Sequence, residues 1–150
     1  MTSDDFINVV EGWAFERTEQ LKDDIKNKSV TKFGAVNSSG RLAKSVRFKV
    51  TDKKLIVEAD DYIYQIEHGR KPGKFPPRQV ILDWIHEKPI PSDISEKSLA
   101  FLIGRKIAKE GTEIYKQGGS GLLEGVFNDD EFRDLANRIG DAFIKEIKQL

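Results

Sequence analysis

Cysteine is absent from the 150-residue chain, so no disulfide framework, thiolate nucleophile or sulfur-ligated metal can be built from it. Histidine is nearly absent. His68 and His86 are the only two, and neither falls in an H-x-x-x-H or H-E-x-x-H spacing that would bring two imidazoles to one metal. Net charge is absent as well: 25 lysines and arginines balance 25 aspartates and glutamates, which removes any global field drawing the chain to nucleic acid or an anionic membrane. Such binding has to be local. The acidic start Thr2-Ser3-Asp4-Asp5 leads into an interrupted apolar pattern, not a signal-type run, and no stretch is long and apolar enough to span a bilayer.

Catalytic signatures are missing too. Glu67 and His68 are adjacent, so on a helix they point in different directions and do not form an acid–base pair. The carboxylate groups Asp60-Asp61 and Asp129-Asp130-Glu131 are explained by helix starts better than by paired acid and base work. Gly118-Gly119-Ser120-Gly121 lacks the following Lys-Ser or Lys-Thr of a phosphate-cradling loop and reads as a flexible joint. The expectation is therefore a protein that is not an enzyme, with no catalytic residue, cofactor or metal.

What is present is 38% hydrophobic and 33% charged residues, enough for the modest core of one domain covering residues 1–150 under a highly charged surface. Phe6, Val9, Val10, Trp13, Leu21 and Ile25 recur at helical intervals and predict a long first helix from about Ser3 to Lys28, with Gly12 its weak point. Residues 29–40 are small and polar, which predicts a flexible loop. In residues 44–50 the apolar Val46, Phe48 and Val50 alternate with polar neighbours, and Leu55, Ile56 and Val57 follow a short turn, so a β-hairpin is expected. Its apolar face must lie on a helix or meet another chain, because a lone hairpin is marginal in water; Val46, Phe48, Val50, Leu55 and Val57 are the candidate contacts with a neighbouring copy.

Asp60 to His68 predicts a short helix closed by Gly69, and a second helix is expected from about Pro77 to Glu87, with Val80 above Trp84 and Ile81 above Ile85, ended by Lys88-Pro89-Ile90-Pro91. Ser95 is the expected N-cap of a helix running to Glu110 with Leu99, Leu102, Ile103 and Ile107 inward, Arg105, Lys106 and Lys109 outward, and Gly111 its stop. Leu122, Leu123, Val126 and Phe127 form a segment too short to tell a strand from a turn of helix. The final helix is the clearest: Phe132, Leu135, Ala136, Ile139, Phe143 and Ile147 keep the helical period, with acids in the first turn and lysines near the end. The fold class is α+β: a long N-terminal helix, a small antiparallel hairpin, several helices and a C-terminal amphipathic helix.

Between Glu67 and Asp83 the chain carries Arg70, Lys71, Lys74 and Arg78 with no acid, on a segment that Pro72, Pro76 and Pro77 hold extended. Such a preorganised loop can grip phosphates or an acidic patch on a neighbouring subunit, or can simply link two helices in solvent. The candidate partner-binding residues are Glu67, His68, Gly69, Arg70, Lys71, Pro72, Lys74 and Arg78.

The stretch Tyr62-Ile63-Tyr64-Gln65-Ile66-Glu67-His68-Gly69-Arg70 resembles the aromatic-rich Glu-x-Gly signature of the tail-completion and neck proteins of tailed bacteriophages, the HK97 gp10-like family. The order of helix, hairpin, signature, apolar pair Leu122-Leu123 and terminal helix is similar as well. The chain departs from the shorter family pattern in inserting residues 71–119 after the signature. Gly69 to Gly73, Pro76-Pro77, Trp84-Ile85 and Gly111-Thr112 resemble a longer phage variant.

The resemblance implies a virion structural protein made in the bacterial host cytoplasm. It would form a homo-oligomeric ring in the head–tail connector, touching portal, adaptor or tail proteins, with possible non-specific contact to channel DNA and no membrane. The hairpin would meet neighbouring copies, and residues 70–78 would dock on the adjoining virion protein. A small nucleic-acid-binding module, with Arg70, Lys71, Lys74, Arg78, Arg105, Lys106 and Lys109 on one basic face, is the alternative. A magnesium-dependent hydrolase or nuclease built on Asp60, Asp61, Glu67 and His68 would need a ligand spacing that is not there.

Overall fold

A computed structural model describes residues 2–31, 40–87 and 92–149. Most of the residues expected to form the loop at 29–40, and the Lys88-Pro89-Ile90-Pro91 stop, lie outside them. The architecture is α+β, in which one long helix carries a two-stranded sheet and a set of shorter helices.

The long helix α1 (Ser3–Asn27) starts at a capping box: the Thr2 hydroxyl accepts from the Asp5 N–H at 3.1 Å, and the Asp5 carboxylate accepts from the Thr2 N–H at 3.1 Å. The Thr2 hydroxyl also donates to that carboxylate at 2.7 Å, and this bond, followed by the one from the Thr2 N–H, holds the Asp5 carboxyl below its usual range. Val10, Trp13, Ala14, Thr18, Leu21 and Ile25 are buried along one stripe. Thr18 was not among the expected core residues. It sits there because its hydroxyl donates to the Ala14 carbonyl at 2.8 Å, leaving its methyl as the packing surface.

The lower part of that stripe closes the main core. Leu21 and Ile25 pack with Leu42, Ala43, Val46, Ile66, Leu122 and Val126. Leu42 and Ala43 belong to α2 (Arg41–Ser45), a five-residue helix where the sequence led us to expect the approach to a strand. This displaces one hairpin residue: Val46 follows α2 and is 2% exposed in the core. The hairpin proper is β1 (Arg47–Val50) against β2 (Leu55–Glu58), paired antiparallel with Phe48 opposite Val57 and Val50 opposite Leu55. Both strands pack on α1, which settles locally what lies beneath the hairpin.

Beyond the hairpin come α3 (Tyr62–His68), α4 (Arg78–Glu87), α5 (Glu96–Glu110), α6 (Glu113–Lys116), α7 (Leu122–Val126) and α8 (Asp129–Lys148). α4 and α5 form a helical hairpin, here called the arm, around a small cluster of Ile81, Ile85 and Ala100. Among the described residues it has no substantial packing on α1. Ser95 caps α5 and Gly111 ends it, as expected. Leu102 departs from expectation and is half exposed, because it lies about 200° around the helix from buried Ala100 at 100° per residue. Gly104, also buried, leaves room for the Phe75 ring, which lies where a β-carbon would sit. Val80 points outward and is 41% exposed.

α8 is the best amphipathic helix in the sequence, yet none of its residues is buried. Its junction with α1 is made at Trp13, whose indole N–H donates to the Glu131 carbonyl at 3.1 Å and whose ring packs against Phe127 and Phe132. Two ion pairs reinforce it, Arg17–Glu131 at 3.3 Å and Arg138–Glu16 at 2.7 Å.

The hydrogen bond from Arg138 holds the Glu16 carboxyl below its usual range. The folded chain then binds that proton less tightly than the unfolded chain. The stabilisation is present above the unfolded glutamate pKa and is lost as pH falls through the folded one. Glu16→Gln should therefore lower stability by about 0.5 kcal/mol at pH 7, as expected of an exposed pair. The difference from the unsubstituted protein should vanish on acidification below the carboxylate range, as read by urea midpoints of Trp13 fluorescence in a Trp84→Phe background.

Candidate functional site

The residues singled out from sequence are distributed over a neck where the arm leaves and rejoins the body. At the exit, α3 ends on Gly69, whose N–H donates to the Gln65 carbonyl at 2.8 Å. At the return, α5 ends on Gly111, whose N–H donates to the Ile107 carbonyl at 2.7 Å. Both glycines adopt the same unusual backbone, φ 75° with ψ −175° and φ 82° with ψ 176°, a region that side chains essentially exclude. Space is closed to them as well. A β-carbon on Gly69 would run into the Tyr115 backbone and come within 2.6 Å of the Thr112 hydroxyl, and one on Gly111 would come within 2.8 Å of the Arg70 carbonyl.

Between the two glycines the chains are tied reciprocally. The Arg70 N–H donates to the Thr112 hydroxyl at 3.0 Å, and the Thr112 N–H donates to the Arg70 carbonyl at 3.0 Å. The same hydroxyl accepts from the Tyr115 N–H at 3.3 Å and caps α6. Thr112 thus anchors two segments with one side chain. Its sequence signals were that it follows a helix-stopping glycine and that Gly111-Thr112 is one of the pairs resembling the longer phage variant. Across the neck, Lys116 donates to Glu110 at 3.2 Å, which holds the Glu110 carboxyl below and the Lys116 ammonium above their usual ranges.

Glu67 points into the body. One carboxylate oxygen accepts from the Leu123 N–H at 2.8 Å and lies 3.4 Å from the Ser120 hydroxyl, while the Glu67 carbonyl accepts from the Ser120 N–H at 2.9 Å. It therefore caps α7, whose own N-cap is Gly121 without a side-chain acceptor. The Gly118 to Gly121 segment is accordingly a hydrogen-bonded turn held to Glu67 and not the free joint expected. Gly118 and Gly119 donate back to the Tyr115 and Ile114 carbonyls, and positive φ angles at Gly118, Gly119 and Gly121 make the reversal possible.

The remaining candidates face solvent. His68, Lys71, Pro72 and Lys74 are exposed, and Arg70 is half-buried. The strap from Arg70 to Pro77 lies along α5: the Gly73 N–H donates to the Ala108 carbonyl at 2.8 Å, and Phe75 stacks on Phe101 at 5.7 Å between ring centroids. Lys71 and Lys74 therefore lie near the end of α5 that carries Arg105, Lys106 and Lys109, while Arg78 sits farther along, at the start of α4. In the hairpin, Phe48, Val50 and Leu55 are half-buried, and Val57 is 36% exposed. Tyr62 and Tyr64 of the signature point outward, whereas Ile63 and Ile66 enter the core.

Among the described residues, no group of three or more His, Asp or Glu is placed to hold a metal ion, and no helix is long and apolar enough to cross a membrane. His86 and Glu96 pair between α4 and the start of α5. Comparison with protein-family models, curated proteins and solved structures finds no match to this chain.

Two sets of substitutions test the neck. Gly69→Ala or Gly111→Ala should cost about 3 kcal/mol in urea denaturation, since strain and collision combine. Gly12→Ala, in an open helical position, should instead stabilise by about 0.5–1 kcal/mol. Glu67→Ala should cost about 1–2 kcal/mol by uncapping α7, and Glu67→Gln, which keeps an acceptor, should cost less.

Proposed function

We propose that the protein is a structural component of a tailed-phage head–tail connector, a non-enzymatic subunit that assembles with copies of itself into a ring and docks on a portal, adaptor or tail protein around the DNA channel. The observation that carries this reading is the convergence of the residues on which the phage resemblance rests. Glu67 and Gly69 of the signature, Arg70, the Gly111-Thr112 pair and the Leu122-Leu123 pair are far apart in sequence and meet at the neck. Residues that determine one junction of a fold are those a family would be expected to keep in common.

The surface supports an assembling role. Phe101, Leu102, Phe143, Ile144 and Ile147 are all about half exposed, a large amount of apolar surface for a chain of this size acting alone. The strap supplies a cationic, proline-stiffened docking element in which little conformational freedom remains to be lost on binding. A second reading, a nucleic-acid-binding module, draws on the same alignment of strap and α5, which gathers cations of one sign along the arm.

Light scattering of the purified protein, alone and mixed with portal and tail proteins, should give a ring or a monomer that assembles on its partner. A monomer indifferent to every virion protein overturns the connector reading. Lys71→Glu with Lys74→Glu should weaken docking about tenfold or more without changing the melting temperature. If DNA affinity falls instead, with a steep dependence on salt, the nucleic-acid reading is favoured.

A further inference from the structure

The exposed apolar surfaces of the molecule differ in the charges around them. At the end of α8, Phe143, Ile144 and Ile147 stand among both signs, Asp141 and Glu146 against Lys145 and Lys148. On the arm the setting is of one sign. An open groove of about 350 Å³ is lined by Arg78, Ile94, Lys97, Ser98, Phe101 and Leu102, two cations and no acid.

That groove is one end of a longer feature. Lys97, Phe101, Arg105 and Lys109 recur at four-residue spacing on α5, so they form one ridge, each about 6 Å along the axis from the next. All four are exposed, Phe101 to 53%. The strap runs antiparallel beside the ridge. Gly73 is bonded to Ala108, and Phe75 lies against Gly104 and Phe101, which sets the backbone of Lys74 at the level of Arg105.

Among the described residues, none of Lys74, Arg78, Lys97, Arg105 and Lys109 makes an ion pair. The acids of the arm are engaged or placed elsewhere. Asp83 accepts from Gln79, Glu96 pairs with His86 and Glu110 with Lys116, while Glu87 and Asp93 lie toward the tip, where the ridge ends. Cations in a row without counter-charge repel one another, and a polyanion laid along them removes that cost while releasing its own condensed counterions.

We propose that the arm binds single-stranded nucleic acid, with phosphates on Lys74, Arg78, Lys97, Arg105 and Lys109 and a base stacked on Phe101. The aromatic ring is what selects the form of the ligand. Phe101 stands within the cation row, half exposed and backed by Phe75. A row of cations interrupted by an exposed ring holds a strand whose bases are unpaired, the phosphates by charge and a base by its face. A duplex keeps its base faces inside the stack and leaves Phe101 wet, and an acidic peptide satisfies the cations without needing the ring. This rests on the nucleic-acid reading of the arm given above, names the form of nucleic acid, and holds with or without a ring of copies.

Fluorescence anisotropy of the full chain with labelled oligothymidine, oligouridine and a DNA duplex tests it. Either single strand should bind more tightly than the duplex, and the tighter of the two identifies the sugar. Phe101→Leu, which keeps an apolar side chain but no ring, should weaken single-strand binding about tenfold, whereas Phe101→Tyr should retain it. Arg105→Gln with Lys109→Gln should weaken binding and flatten the dependence of log affinity on log salt by about 0.7 for each cation removed. All these positions are exposed, so the melting temperature should not move. If Phe101→Leu does lower it, the Arg105→Gln, Lys109→Gln pair and its salt slope carry the test.

A duplex bound as tightly as the single strands, with no effect of Phe101→Leu, overturns the proposal and leaves the broader nucleic-acid reading standing. Displacement of the oligonucleotide by polyglutamate at equal charge overturns it in favour of an acidic protein partner. No binding of any of the three probes at low salt refutes both this inference and the reading on which it rests.

Discussion

The reciprocal hydrogen bonds between Arg70 and Thr112 are the constraint on which the arrangement of the arm depends. They bring together the two points at which the chain leaves and re-enters the body, and they do so beside two glycines whose backbone no other residue adopts without strain. The arm's own core is small. Ile81 and Ile85 are its large buried side chains, worth about 2 kcal/mol each, so its orientation comes from the neck and from the strap on α5 more than from packing against α1. The neck also reaches inward. Glu67, two residues before Gly69, caps α7 and so ties the arm's root to the helix that closes the main core.

A different logic holds the body together. α1 is a spine with three customers along one stripe: α8 at the level of Trp13, then the short helices α2 and α7 at Leu21 and Ile25, with the hairpin alongside. The short helices would not form alone, since a turn or so of helix cannot recover the cost of nucleation. They exist because Leu42, Ala43, Leu122 and Val126 are drawn into the same core. Stability in this chain is therefore concentrated low on α1, while the outer face of the arm at Phe101 and Leu102 and the end of α8 at Phe143, Ile144 and Ile147 keep their apolar side chains half in water.

The same distribution explains what could be read in advance. α1, α5 and α8 are long enough for the 3.6-residue period to repeat several times, and the caps of α5 at Ser95 and Gly111 and the first-turn acids Asp129 to Glu131 of α8 were visible as residue types. α2 was not legible, because Leu42 and Ala43 give a five-residue helix no period, and the alternation of Val46 with Phe48 and Val50 suggested a longer strand. Period alone also overstated burial. It identified the apolar faces of α8 and Leu102 but not whether anything covers them, which depends on distant packing. At the site, the charges of the strap were plain, whereas the inward turn of Glu67 and the double role of Thr112 arise from contacts 56 and 42 residues apart. No local pattern encodes them.

A seam that opens and closes at adjacent points has a consequence for how such a chain changes over generations. Residues 71–111 enter and leave the body beside each other, so an arm of another length or shape can be exchanged at Gly69 and Gly111 without shifting the register of any body helix. The body is then free to remain constant while the arm diversifies, and change would accumulate in the arm and not in the frame that carries it.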